Sequence, residues 1–201
     1  MSGGTSSEKG VLKMEKEKAA SLTKQIAVTA ILLALCIASQ FLKSLSVYIT
    51  GPIVNLCLIL AVMYAGLMWG LVLAVITPVT AFIIAASPVM TAVPGIIPLI
   101  MLGNAVLVIC VHFLFKPAVK AGKLISLRSA LMALVSSVAK GCIMGLTIAA
   151  WLLPTFIPAE SPLRGKMHVF QEAFSVTQLL TALIGFVYFY IVFTPLKKIL
   201  K

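Results

Sequence analysis

The chain has 201 residues, 61% hydrophobic and only 10% charged, against about 45–50% apolar and about 25% charged in soluble domains. This composition excludes a soluble globular domain, and at about 20 apolar residues per crossing the length accommodates about six membrane spans with short connections. Sixteen Lys and Arg against five acids give a net charge of +11, which in so apolar a chain bears on membrane topology rather than on nucleic acid.

Residues 1–22 are polar and rich in Ser, Gly, Lys and Glu, without the short apolar run and cleavage site of a secretory signal. They read as a retained tail, helical from about Lys13 or Ala19. The first span is expected at about 25–45, with Ser21 and Thr23 as possible N-caps. Beyond Thr50-Gly51-Pro52 there is no charge until Lys116, so breaks must come from Gly and Pro. A tight turn at Gly66 to Gly70 and a loop over Ala85 to Pro98 give spans at 52–67, 69–86 and 96–115. Thr77-Pro78 removes a backbone hydrogen bond inside the third span and should kink it.

Lys116, Lys120, Lys123 and Arg128 form a basic connector before a fifth span at 127–153. Residues 154–169 form a second polar connector, and a sixth span at 172–194 ends at Pro195 and the tail Lys197 to Lys201. The expected organisation is a tail (1–22), an all-α six-helix membrane domain (23–196) and a basic tail (197–201), with no internal repeat. Twelve Lys and Arg fall on one side (Lys9, Lys13, Lys16, Lys18, Lys24, the central connector and the C-terminus), and Lys43, Arg164 and Lys166 on the other. The positive-inside rule then places both termini in the cytoplasm.

Lys140 is the one remaining of the sixteen Lys and Arg, near the middle of the fifth span, where insertion scales assign a cost of about 2.5–3.5 kcal/mol. On a helix, Ser136, Lys140, Met144, Thr147 and Trp151 share one face. A buried cation with hydroxyls and an aromatic suits an anionic or amide-bearing ligand; the alternative is a lysine that snorkels or bonds carbonyls in the bundle core. A second stripe, Gln171, Ser175, Gln178, Ala182 and Gly185, lies on the sixth span. Asn104 lies inside the fourth span and Asn55 near the outer end of the second; each suits ligand contact or plain interhelical hydrogen bonding.

Ala30, Ala34 and Ala38 make a flat groove on the first span, for another helix or for internal packing. Cys36, Cys57, Cys110 and Cys142 occupy four different runs without Cys-x-x-Cys spacing and read as small buried packing residues. The five glutamates (Glu8, Glu15, Glu17, Glu160, Glu172) lie outside the spans or at their edges, and there is no Asp. No carboxylate pair, metal site or cofactor is expected. Phosphate-loop, Gly-x-Ser-x-Gly and His-Glu-x-x-His motifs are absent from the sequence, so enzyme activity is not expected.

This pattern resembles the substrate-binding S components of energy-coupling factor (ECF) vitamin transporters over about residues 22–196. The resemblance is carried by the single six-helix unit, the basic tail, Lys24-Gln25-Ile26-Ala27 leading into Ala30-xxx-Ala34-xxx-Ala38, and Gly103-Asn104. It implies a prokaryotic-type plasma-membrane protein that captures a vitamin from outside and docks on a transmembrane T subunit carrying two ABC ATPases. Docking through an Ala-xxx-Ala motif maps onto Ala30 and Ala34, extended by Ala38. The family holds its ligand between outer loops and the last three helices, which implies substrate roles for Asn104, Lys140, Trp151, Gln171, Ser175 and Gln178, with Ser44 to Pro52 as a gate. A pantothenate-like carboxylate is the expected substrate and a riboflavin-like one its competitor. The residues alone leave open a stand-alone secondary transporter or channel, and a structural membrane protein without a ligand.

Overall fold

Inside a bilayer each backbone N–H and C=O must find a partner within the chain, which an α-helix provides residue by residue. The computed structural model describes residues 6–42, 46–121 and 124–199, and six of its helical stretches are long and apolar enough to cross a membrane. Those stretches are Glu17–Gln40, Val47–Tyr64, Leu67–Ala85, Ile96–Ala121, Leu127–Phe156 and Arg164–Phe193. The chain is a multi-pass, all-helical membrane protein.

The elements are α1 (Ser6–Gln40), α2 (Val47–Tyr64), α3 (Leu67–Ala85), α4 (Pro88–Ala92), α5 (Ile96–Cys110), α6 (Lys116–Ala121), α7 (Leu127–Met144), α8 (Leu153–Phe156), α9 (Met167–Ala173) and α10 (Val176–Ile199). A π-helical segment, Val111–Phe115, joins α5 to α6; another, Gly145–Leu152, joins α7 to α8. The spanning helices close a ring in the order α1, α2, α10, α7, α5, α3, and α2 also touches α3 and α5. Consequently α2 has the largest buried share of the six spans.

Several boundaries differ from expectation, each for a local reason. The expected connector before Pro52 is mostly helix: Ser46 caps α2 by accepting from the Tyr48 N–H, and Pro52 sits inside the helix. Transmembrane helices tolerate such prolines. The gate expected at Ser44 to Pro52 is therefore not a loop; Ser44 and Leu45, like Lys43 and Lys123, lie outside the described residues. Asn55 moves with this boundary, from the end of a span to the middle of α2. The Gly66 turn is shorter than expected, because φ of +99° at this single glycine reverses the chain and α3 begins at the next residue.

The loop expected at 85–98 contains α4, begun by Pro88 at its first position, where proline lacks a donor the helix does not need. The basic connector is helical as far as Ala121. Arg164 pins the second polar connector by donating from Nη1 to the carbonyls of Pro154 (3.2 Å) and Ile157 (3.1 Å).

One end of the bundle, called here the basic end, carries the α2–α3 turn, Lys116, Lys120 and Arg128. It is filled by aromatics: Phe115 meets Phe186 and Phe189 at ring-centroid distances of 4.8 and 5.3 Å, and Phe189 meets Phe193 at 4.7 Å. Lys116 Nζ donates to the Val62 carbonyl near the end of α2 at 2.8 Å, a cation where the helix dipole favours one. Of the cysteines, Cys36 on α1 and Cys57 on α2 are buried in one core cluster. Cys110 is half-buried and Cys142 faces outward, contrary to expectation.

Candidate functional site

The site is centred on Lys140, in the last turns of α7 and at the middle of the span Leu127–Phe156, and only 3% exposed. Its Nζ donates to Asn55 Oδ1 at 2.7 Å and to Asn104 Oδ1 at 2.8 Å, distances characteristic of charge-assisted bonds. Because an ammonium only donates, both amides must turn their oxygens toward it. Asn55 Nδ2 in turn points to Thr181 Oγ1 at 3.4 Å, and Thr181 donates to the Gln178 carbonyl at 3.2 Å. Lysine, asparagines and threonine thus bridge α7, α2, α5 and α10 in one network.

Glycines bring these helices close enough for short polar side chains to meet. A Cβ on Gly185 of α10 would lie 2.8 Å from Asn55 Cβ and 3.2 Å from the Pro52 carbonyl oxygen, so only glycine seats α10 on α2 at this level. Gly103 does the same beside Asn104, where a Cβ would collide with Met144 of α7.

The network forms one wall of a cavity of about 110 Å³, lined by Gln40, Thr50, Asn55, Thr77, Asn104, Lys140 and Gln178 with small and apolar neighbours. A second cavity of about 240 Å³ shares Pro78, Ala81, Ile100 and Gln178 with the first and is otherwise walled mainly by Val47, Val89, Met90, Phe170 and Phe174. These are termed the polar and apolar chambers. Combined, they reach the lower end of the ~300–1,000 Å³ range of small-molecule sites.

Gln40, at the end of α1 and 2% exposed, closes the polar chamber from the side opposite α7. Its Nε2 donates to the Thr77 carbonyl at 3.1 Å and to Thr80 Oγ1 at 3.0 Å. These contacts fix the amide orientation, and no described residue donates to the buried Oε1. An unsatisfied buried acceptor costs about 1–3 kcal/mol.

Of the residues expected at the site, Lys140, Asn104 and Gln178 come together. Gln171 does not reach the chambers: its Nε2 donates to the Ala149 carbonyl at 2.9 Å, tying α9 to the second π-helical segment. Ser175 donates to the Gln171 carbonyl at 2.6 Å and lines a lateral groove with Gly141, Cys142 and Leu146. The stripe through these residues breaks because the helix is interrupted at Phe174 and Ser175; it resumes at Gln178, with Ala182 buried and Gly185 against Asn55.

Trp151 is also displaced: it is exposed and stacks edge-on against Phe156 at 6.4 Å. The π-helical segment carries more residues per turn than an α-helix, so beyond Met144 the inward face passes to Ile148, Ala149, Leu152 and Leu153. Thr147 bonds its own helix at the Ile143 carbonyl, and Ser136 does the same at Met132.

Gln40 was not singled out from the sequence, and Asn55, which suits ligand contact or interhelical bonding equally, was not assigned to the site. Each is a lone amide in or at the end of an apolar run, which is the signal that could have found them, and in both cases the uncertain helix boundary near residues 45–52 hid their depth.

Ala30, Ala34 and Ala38 are all exposed on the outer face of α1, alongside Ile31 and Leu35. Internal packing of α1 falls instead to Thr29, Leu32, Cys36, Ser39 and Gln40. Comparison of this chain with known protein families, with curated proteins and with solved structures finds no match.

Proposed function

We propose that this chain is the substrate-binding membrane subunit of an ECF-type importer, taking a vitamin or cofactor precursor from outside a prokaryotic-type plasma membrane. The observation that carries the reading is the buried Lys140, bracketed by Asn55 and Asn104 at the wall of a paired cavity inside a closed six-helix ring. A bilayer-buried cation is costly and marks a ligand or ion path when it borders a cavity. Both termini and the basic end are cytoplasmic in this reading, so the chambers lie in the outer half, roofed by α4 and α9. The substrate is a pantothenate-like carboxylate, with a riboflavin-like compound as the competing choice.

The unoccupied outer face of α1 supports the second half of the reading. Small residues allow close helix–helix approach in lipid, where association depends on backbone contact, and Ala30, Ala34 and Ala38 offer that contact to a T subunit. Two ABC ATPases bound to that subunit supply the energy, in keeping with a sequence that carries no phosphate loop.

Purification of the tagged protein from its native membrane tests this. Two ATPases and one further membrane subunit are expected to accompany it, with a small molecule recoverable by mass spectrometry. Substrate uptake that persists without any ATPase would overturn the reading in favour of a stand-alone transporter.

A further inference from the structure

The polar chamber presents two unmet demands of opposite sign. Lys140 has three N–H donors and spends two on the amide oxygens of Asn55 and Asn104. Both partners are neutral, and no Asp or Glu is among the residues lining either chamber. A buried ammonium with only neutral partners is unfavourable, so a bound molecule that brings an anionic group would complete the site. Across the chamber, Gln40 Oε1 is a buried acceptor to which no described residue donates. An anionic oxygen placed against it would be repelled; an O–H or N–H would satisfy it.

Size narrows the class further. At about 110 Å³, the polar chamber is smaller than the ~150 Å³ cavity that admits benzene, a size that suits a head group. The remainder of the ligand must enter the apolar chamber, where Val89, Met90, Phe170 and Phe174 favour uncharged, largely apolar matter.

We infer that the polar chamber is a head-group subsite for a monocarboxylate carrying a hydroxyl or amide N–H near its carboxyl group, Lys140 binding the carboxylate and Gln40 Oε1 accepting from the donor. The inference rests on the paired cavity being the substrate site, as proposed above, but not on the identity of the energising partners. It ranks pantothenate-like acids above riboflavin, which has no carboxylate, and excludes cationic substrates.

The test uses the full chain in lipid nanodiscs and calorimetric binding of matched probes. Pantothenate is set against pantothenol, its primary alcohol; 2-hydroxy-4-methylpentanoate is set against 4-methylpentanoate, which lacks the hydroxyl. In each pair the first member should bind at least tenfold more tightly. Lys140→Gln should erase the preference for acid over alcohol by weakening the acid alone, whereas a merely structural lysine would weaken both alike. Gln40→Leu should erase the hydroxyl preference while the preference for acid over alcohol survives.

Should either variant fail to fold, the wild-type ratios decide. Failure of both acids to bind, binding of riboflavin alone, or an acid-to-alcohol ratio near one would each overturn the inference, even with the ATPases co-purifying. Selective acid binding by a protein that recruits no ATPase would instead sustain the inference and overturn the importer reading.

Discussion

At the basic end, Phe115, Phe186, Phe189 and Phe193 fill the space between α10 and the end of the fourth span. In the other half, the helices part around two chambers lined partly by amides, hydroxyls and a lysine. Lipid is as apolar as a leucine side chain, so the packed end is held by close contact rather than by escape from water. The hollow half relies on hydrogen bonds that bridge four helices. One region is built for rigidity, and it frees the other to keep polar groups with unmet demands.

The contrast breaks most visibly if the packed end is emptied. Phe186→Ala removes the buried ring that packs edge-on against Phe115 and should cost about 3 kcal/mol, the lower end of the range for buried Phe→Ala because lipid removes most of the transfer contribution. Reversible unfolding in mixed micelles would measure it. A loss below about 1 kcal/mol would mean that this end is not the rigid one.

The bracket around Lys140 comes next. Asn104→Leu leaves the ammonium with Asn55 as its sole amide partner and should cost about 1–3 kcal/mol, while Lys140→Met, which strands the two amide oxygens but also removes the buried charge itself, should cost less because the two effects offset. A lysine variant as damaging as the asparagine variant would show that the cation contributes to folding. Gly185→Val probes the same bracket from behind. With 2.8 Å to Asn55 Cβ and backbone beside it, the added side chain must push α10 from α2, at about 1–3 kcal/mol.

The two regions were not equally legible in the sequence. Six spans and the central position of Lys140 follow from counting apolar runs and charges, because a bilayer imposes length and polarity on every crossing. Ala30, Ala34 and Ala38 fall on one face by 3.6-residue periodicity, and α1 is a regular helix throughout, so that face survives. The lining of the chambers was harder to read. Periodicity carried past Met144 fails because a π-helical segment rotates everything beyond it, and periodicity carried from Gln171 to Gln178 fails because the helix breaks between them. Asn55 and Gln40 depend on where α1 ends and α2 begins, which turns on a serine cap and a tolerated proline rather than on hydropathy.

Smaller effects separate the two surfaces of the bundle. Ala34→Leu adds bulk on an exposed face, so stability should change by less than about 0.5 kcal/mol and probe affinity less than twofold. If this face docks a T subunit as proposed, co-purification of that subunit should nevertheless be lost. Loss of probe binding in this variant would mean that the face communicates with the chambers instead of serving only as a docking surface.

Trp151→Leu should have the smallest effect of all, although the face it shares with Lys140 on an unbroken α-helix would make it a ligand contact. Trp151 is exposed, touches Phe156 edge-on, and lines neither chamber. A leucine keeps an apolar side chain at the surface, and without a chamber wall to disturb, affinity for any probe should shift less than twofold. Ile148→Ala supplies the counterpart one turn away. Ile148 is fully buried with Met144, Leu152 and Leu153, and its truncation should cost about 2 kcal/mol. If tryptophan proved costly and isoleucine free, the segment from Gly145 to Leu152 would have to be α-helical in the membrane, and the stripe through Lys140 would run unbroken to Trp151.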